Sequence, residues 1–124
     1  MRFLTMVKMA ETVGPPPQAL ADAMEQMAQD GFKDGTLLEL GGLGPTALGA
    51  RVKIAGGSLT TLDGPFTEAK EVIGGYAFIS VRDKAEAIEL TTRMMELHLK
   101  HWPGWEGEAE IRQVFGPEDA PPQG

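Results

Sequence analysis

Cysteine is missing from this chain altogether, and histidine occurs only twice. The first absence excludes a disulfide framework and thiolate chemistry. Two histidines without a thiol make a structural zinc site unexpected. Basic residues are also scarce: eleven Lys and Arg stand against eighteen Asp and Glu, for a formal charge of −7. A surface of that sign repels phosphate backbones, so nucleic acid is not expected as a partner. No apolar run approaches the ~20 residues of a membrane span. The start, "MRFLTMVKMAE", does not read as a secretory signal, because Thr5 and Lys8 interrupt its apolar run and no small-residue cleavage site follows. These absences leave a soluble, cytoplasmic, bacterial kind of protein, with 124 residues suiting one domain.

What is present reads as alternating strands and helices. Residues 2–9, "RFLTMVKM", alternate, with Phe3, Thr5, Val7 and Met9 on one face and Leu4, Met6 and Lys8 on the other. Both faces are largely apolar, which predicts a central strand covered on both sides. After the prolines at 15–17, Leu20, Met24, Met27 and Gly31 follow helical spacing, with Gly31 as the expected stop and Gly35 behind it. A strand that breaks up at its glycines is expected over 36–45. "ARVKIAGGSLTTLDGP" reads as a hairpin turning at Gly56-Gly57. "GGYAFISV" is a further strand, with Tyr76, Phe78 and Ser80 facing one way. In "RDKAEAIELTTRMMELHLKH" Asp83 and Glu86 have capping-box spacing, and Glu89–Arg93 and Glu96–Lys100 are favourable i, i+4 pairs. The apolar arc of this helix is wider than packing on one sheet requires, so a further cover is expected. "WPGWEGEAEIRQVF" turns at Pro103-Gly104 and becomes a last strand. The domain is expected over 1–115, with a polar, proline-rich tail over 116–124.

The order β-α-β, inserted hairpin, β-α-β predicts an α+β fold: a ferredoxin-like split βαβ with an inserted β-hairpin. Its two helices would cover one sheet face. The other face is still apolar, which predicts a homodimer with two sheets packed face to face.

The segment "TLDGPFTEAKEVIGGY" carries the most unusual residues: Asp63-Gly64-Pro65-Phe66, Glu68, Lys70-Glu71 and Gly74-Gly75-Tyr76. With the short first strand and the "HWPGWEGEAEIRQVF" ending, it resembles the YCII-related family, in the branch known for a DGPF domain. The resemblance implies a dimeric α+β barrel and association with extracytoplasmic-function sigma factors, hence a regulatory role. Some relatives are proposed to be enzymes using a His–Asp pair whose histidine sits in the first helix. Residues 15–34 here contain no histidine.

Each candidate site residue has a bland reading beside its functional one. Asp63 would accept the Phe66 N–H and hold a short turn, with Phe66 plugging the core. Alternatively the turn lines a cleft between sheet and hairpin, with Asp63, Glu68 and Lys70 at its rim. His98 and His101 fall within the apolar arc of the second helix, which suits acid–base chemistry if a carboxylate is near, or simple capping of the helix C-terminus. Trp102 and Trp105 could stack a flat ligand or anchor a loop. Tyr76 and Arg112 are candidate ligand contacts on strands. The glycine-rich "ELGGLGPTALGA" has neither lysine nor P-loop spacing, so no cofactor is expected. Two functions follow. One is a homodimeric module that binds a small molecule or regulates. The other is a cofactor-free enzyme with His98 as acid–base group oriented by Asp63.

Overall fold

The computed structural model describes residues 1–117 and 119. Along the chain run β1 (Arg2–Met9), α1 (Gln18–Asp34), β2 (Leu37–Gly42), β3 (Ala50–Ala55), β4 (Ser58–Asp63), β5 (Val72–Ser80), α2 (Lys84–His101) and β6 (Glu108–Val114). The architecture is α+β. Four strands form one antiparallel sheet in the order β2-β5-β1-β6, and β3 and β4 pair apart from it as a two-stranded ribbon.

Strand parity divides the sheet. Phe3 lies opposite Ile79, and Thr5 lies between Ala77 and Ile111. On this face Phe3, Ile79 and Val81 are buried with Ala87 of α2, and Leu37, Ala77, Leu90 and Ile111 pack around them. Helix α2 buries Ala87, Thr91, Met94 and His98, an i, i+4, i+7, i+11 stripe on one helical face. Its first turn is capped as expected at one end: the Asp83 carboxylate accepts the Glu86 N–H at 2.9 Å. The reciprocal bond differs, since the Glu86 carboxylate reaches the N–H of Arg82.

The opposite face carries Leu4, Met6, Tyr76 and Phe78, which remain half-buried. The expectation that β1 is covered on both sides therefore holds on one side within this chain. The arc of α2 also has surplus: Ile88 and Leu99 stay exposed.

Other expectations need correction. Helix α1 does not stop at Gly31 but runs to Asp34, where Gly35 takes a left-handed φ of +85°. Glycine is the residue that adopts this cap without a Cβ penalty. The ribbon turns at Gly56 and Gly57, both at positive φ, as a two-residue hairpin demands. The ribbon does not close a cleft with the sheet, however. All residues of β3 and β4 are exposed, and Val52, Ile54 and Leu59 show 71%, 75% and 70% of their surface. The tail expected over 116–124 lies mostly outside the described residues. Within them, the Asp119 carboxylate accepts the Gly116 N–H at 2.8 Å and pairs with Arg2.

Candidate functional site

The Asp63-Gly64-Pro65-Phe66 turn is held by a partner far away in the chain. The Phe66 N–H donates to Thr46 Oγ1 at 3.1 Å, not to Asp63. Gly64 N–H donates to the Gly49 carbonyl at 2.9 Å, and the Gly64–Pro65 peptide is cis. A Cβ on Gly64 would fall 1.6 Å from the Thr46 carbonyl oxygen, so this backbone contact requires glycine. Thr46 is held in turn by Glu11, whose carboxylate accepts both its N–H and its hydroxyl, the latter at 2.7 Å. Those two bonds stabilise the charged form and lower the Glu11 pKa, the backbone bond most.

Phe66 does not plug the core. It is half-buried beneath the Arg51 guanidinium, 3.8 Å from its ring centroid. Arg51 also pairs with Glu68. The Glu68 pKa is lowered first by its own backbone N–H and then by Arg51. Lys70 stands exposed, and the Asp63 carboxylate makes no hydrogen bond among the described residues. The residues after Phe66 form a turn closed by Ala69 N–H on the Phe66 carbonyl at 3.1 Å, not a helix.

The two histidines are placed differently. His101 ends α2 half-buried. His98 is buried, at 7% exposure, and its Nδ1 lies 3.0 Å from the Met94 carbonyl. A carbonyl only accepts, so Nδ1 carries a proton, and in the neutral form of the ring the lone pair is on Nε2. Nε2 has no hydrogen-bond partner among the described residues. The ring packs on Trp105 at 4.7 Å between centroids, and Trp105 stacks with Trp102 at 5.8 Å. The Trp105 indole N–H is buried without a partner among the described residues.

His98 and Trp102 line a cavity of about 500 Å³. Its other walls come from the loop after β1, the start of α1, the turn after β2 and the start of β5, with Pro15, Leu20, Leu43 and Ile73 among them. Glu11 is the carboxylate in this lining, and both its oxygens are engaged by Thr46. The cavity is therefore mostly apolar, with the His98 imidazole and the Trp102 indole in its lining. Asp63 and Glu68 do not line it.

Tyr76 and Arg112 share the open sheet face, in register with Met6 and Leu4 of β1. The Tyr76 hydroxyl donates to Glu39 at 3.2 Å, which raises its pKa. Arg112 pairs with Glu110, itself bonded to Lys8 at 3.0 Å. Lys8 is raised and Glu110 lowered, each chiefly by the other. The candidate residues thus fall into three groups: Asp63, Glu68 and Lys70 at the turn; His98 and His101 at the end of α2; Tyr76 and Arg112 on the open face. No hydrogen bond joins one group to another among the described residues. Sequence reasoning missed Glu11 and Thr46, which stand 35 positions apart and carry no local signal.

Among the described residues no three of His, Cys, Asp and Glu are grouped to hold a metal ion, and no helix is long and apolar enough to cross a membrane. A family model for the YCII-related domain matches residues 1–96. The matched stretch ends inside α2, before His98 and Trp102. A search of curated proteins finds no match.

Proposed function

We propose that this chain, which belongs to the YCII-related family, is a small homodimeric ligand-binding module that takes a neutral molecule beside His98. The observation that carries this reading is the buried His98 ring, anchored at Nδ1 and unpartnered at Nε2, in the wall of a 500 Å³ cavity. That volume is within the range of small-molecule sites. Nε2 would accept a hydrogen bond from a ligand O–H or N–H, and Trp102 would pack its apolar body. The charged Glu11 in the lining disfavours an anion.

The finer fold belongs to the same proposal. With the ribbon set aside, the order β1-α1-β2-β5-α2-β6 is that of the ferredoxin-like split βαβ. The half-buried face of Leu4, Met6, Tyr76 and Phe78 would meet a second copy, giving the dimeric barrel of the DGPF branch. Leu4, Met6 and Phe78 are already half-buried, so covering their remaining surface contributes only part of the about 1.5–3 kcal/mol that full burial of such a side chain is worth. A regulatory role alongside an extracytoplasmic-function sigma factor would use this dimer as the receiver of the ligand.

Titration with phenol, a neutral aromatic donor, tests the site. Phenol is expected to shift the ¹³C-methyl resonance of Met9, which lines this cavity. His98→Phe keeps the ring and removes the acceptor, so it should weaken phenol at least fivefold, the scale of one hydrogen bond. Binding that ignores His98→Phe, or that leaves Met9 unmoved, would overturn the assignment. One observation favours a second reading, acid–base catalysis: the free Nε2 lone pair is what a general base requires. Asp63 does not orient it within this chain, so an enzyme here would work with His98 alone or with a group from the second copy.

A further inference from the structure

A second cavity, of about 420 Å³, lies between the two helices and the helix-covered face of the sheet. It is distinct from the cavity beside His98, and Met24 lines both. Its walls are Met24, Met27, Leu37, Leu90, Met94 and Leu97, and charged side chains such as Asp30, Asp34 and Arg93 join the lining from the helices. Two polar side chains of its lining are buried: Thr5 of β1, 4% exposed, and Thr91 of α2, 8% exposed. Their hydroxyl oxygens are 3.2 Å apart.

Hydrogen counting makes this pair informative. Each threonine hydroxyl owns one proton. One proton is used between the two oxygens, and either oxygen can be its donor. The other proton has no acceptor among the described residues. A buried O–H without an acceptor costs free energy, because its bond to water is not replaced. Water is a poor filler for the whole space. At ~30 Å³ each, a cavity this size would hold on the order of a dozen waters. Most of them would face methionine and leucine side chains. Replacing such waters by an apolar body is favourable, provided one acceptor meets the spare O–H.

We infer that this cavity is a binding site for a small, neutral, apolar molecule bearing one carbonyl-type oxygen. The spare O–H of the Thr5–Thr91 pair donates to that oxygen, and the methionine and leucine walls hold the ring or chain. Methionine suits such walls, since an unbranched thioether adapts to different ligand shapes. Neither threonine carries charge, so a carboxylate or ammonium gains no partner on the floor. This site does not depend on His98.

Acetophenone and ethylbenzene are matched probes, alike in size and shape and differing in the carbonyl. The test uses the full chain with ¹³C-methyl methionine. Met27 and Met94 report this cavity, and Met9 reports the one beside His98. Acetophenone is expected to shift Met27 and Met94 and to leave Met9 in place, binding more tightly than ethylbenzene. Thr91→Val keeps the shape and removes one hydroxyl. The remaining Thr5 hydroxyl can still donate, so Thr91→Val alone is expected to weaken acetophenone about twofold or less. The double variant Thr5→Val with Thr91→Val removes both donors. It should weaken acetophenone about fivefold to tenfold, the scale of one hydrogen bond, and leave ethylbenzene within twofold. Should the double variant fail to fold, Met27→Trp at the half-buried wall serves instead, and it should abolish the Met94 shift with both probes. The inference is overturned if acetophenone moves Met9 and not Met94. It is equally overturned if the double variant binds both probes as the natural chain does, or if Met27→Trp leaves the Met94 shift intact. Failure of phenol at His98 leaves these outcomes unchanged.

Discussion

At the scale of single residues, position 64 shows how one missing atom organises a turn. The Gly64 backbone passes so close to the Thr46 carbonyl that no Cβ fits, and Gly49 and Thr46 receive the neighbouring N–H groups. Gly64→Ala should therefore destabilise the chain by about 3 kcal/mol, the upper end of overpacking costs. Gly42→Ala is the control, because a Cβ there meets nothing within 4 Å. It should change stability by no more than about 0.5 kcal/mol. Urea unfolding of the two variants checks this, and equal losses would contradict the steric account. His98 teaches a similar lesson. Its position in the apolar arc of α2 is legible from spacing, but which nitrogen is anchored depends on the Met94 carbonyl one turn back.

At the scale of elements, the Glu11–Thr46 link ties the loop after β1 to the turn before β3 and, through Thr46, to Phe66. Its pH dependence has a definite sign. The Glu11 pKa is lower in the folded chain than in the unfolded one. Such a carboxylate contributes stability above its unfolded pKa and loses it as pH falls through the folded pKa. Glu11→Gln cannot titrate, so its melting temperature should fall less steeply than the natural chain's between pH 6 and pH 3. Glu68 and Glu110 are also lowered, so the slope should shrink without vanishing. Parallel curves in circular dichroism melts would show that the link contributes nothing. The ribbon β3–β4 makes the complementary point. Its pairing is complete from Ala50 with Asp63 to Ala55 with Ser58, while Ile54 and Leu59 stand together in the open.

At the scale of the whole molecule, exposed apolar area is the dominant fact. Val52, Ile54 and Leu59 on the ribbon and Leu99 on α2 are largely exposed, and the face of β1 and β5 is half-buried; this is the surface that the proposed dimer would cover in part. Sedimentation equilibrium should give a single species at twice 13.3 kDa. Phe78→Glu, placing a charge in the proposed contact, should return it to 13.3 kDa. A natural chain that stays at the lower mass at high concentration would remove the dimer and the barrel together.

The sequence by itself determined the order of strands and helices, the turn at Gly56-Gly57, the Asp83 cap and the family, because each rests on short-range spacing or on a contiguous motif. It also implied a surplus of apolar surface, since parity along β1 and the arc of α2 can be counted from residues alone. Only the tertiary structure decided that Thr46, not Asp63, holds Phe66, that the ribbon stands apart from the sheet, and that His98 and the Thr5–Thr91 pair each face a cavity. The reason is physical: these are meetings between side chains tens of residues apart, and a hydrogen-bond partner at that separation leaves no periodic trace in the chain.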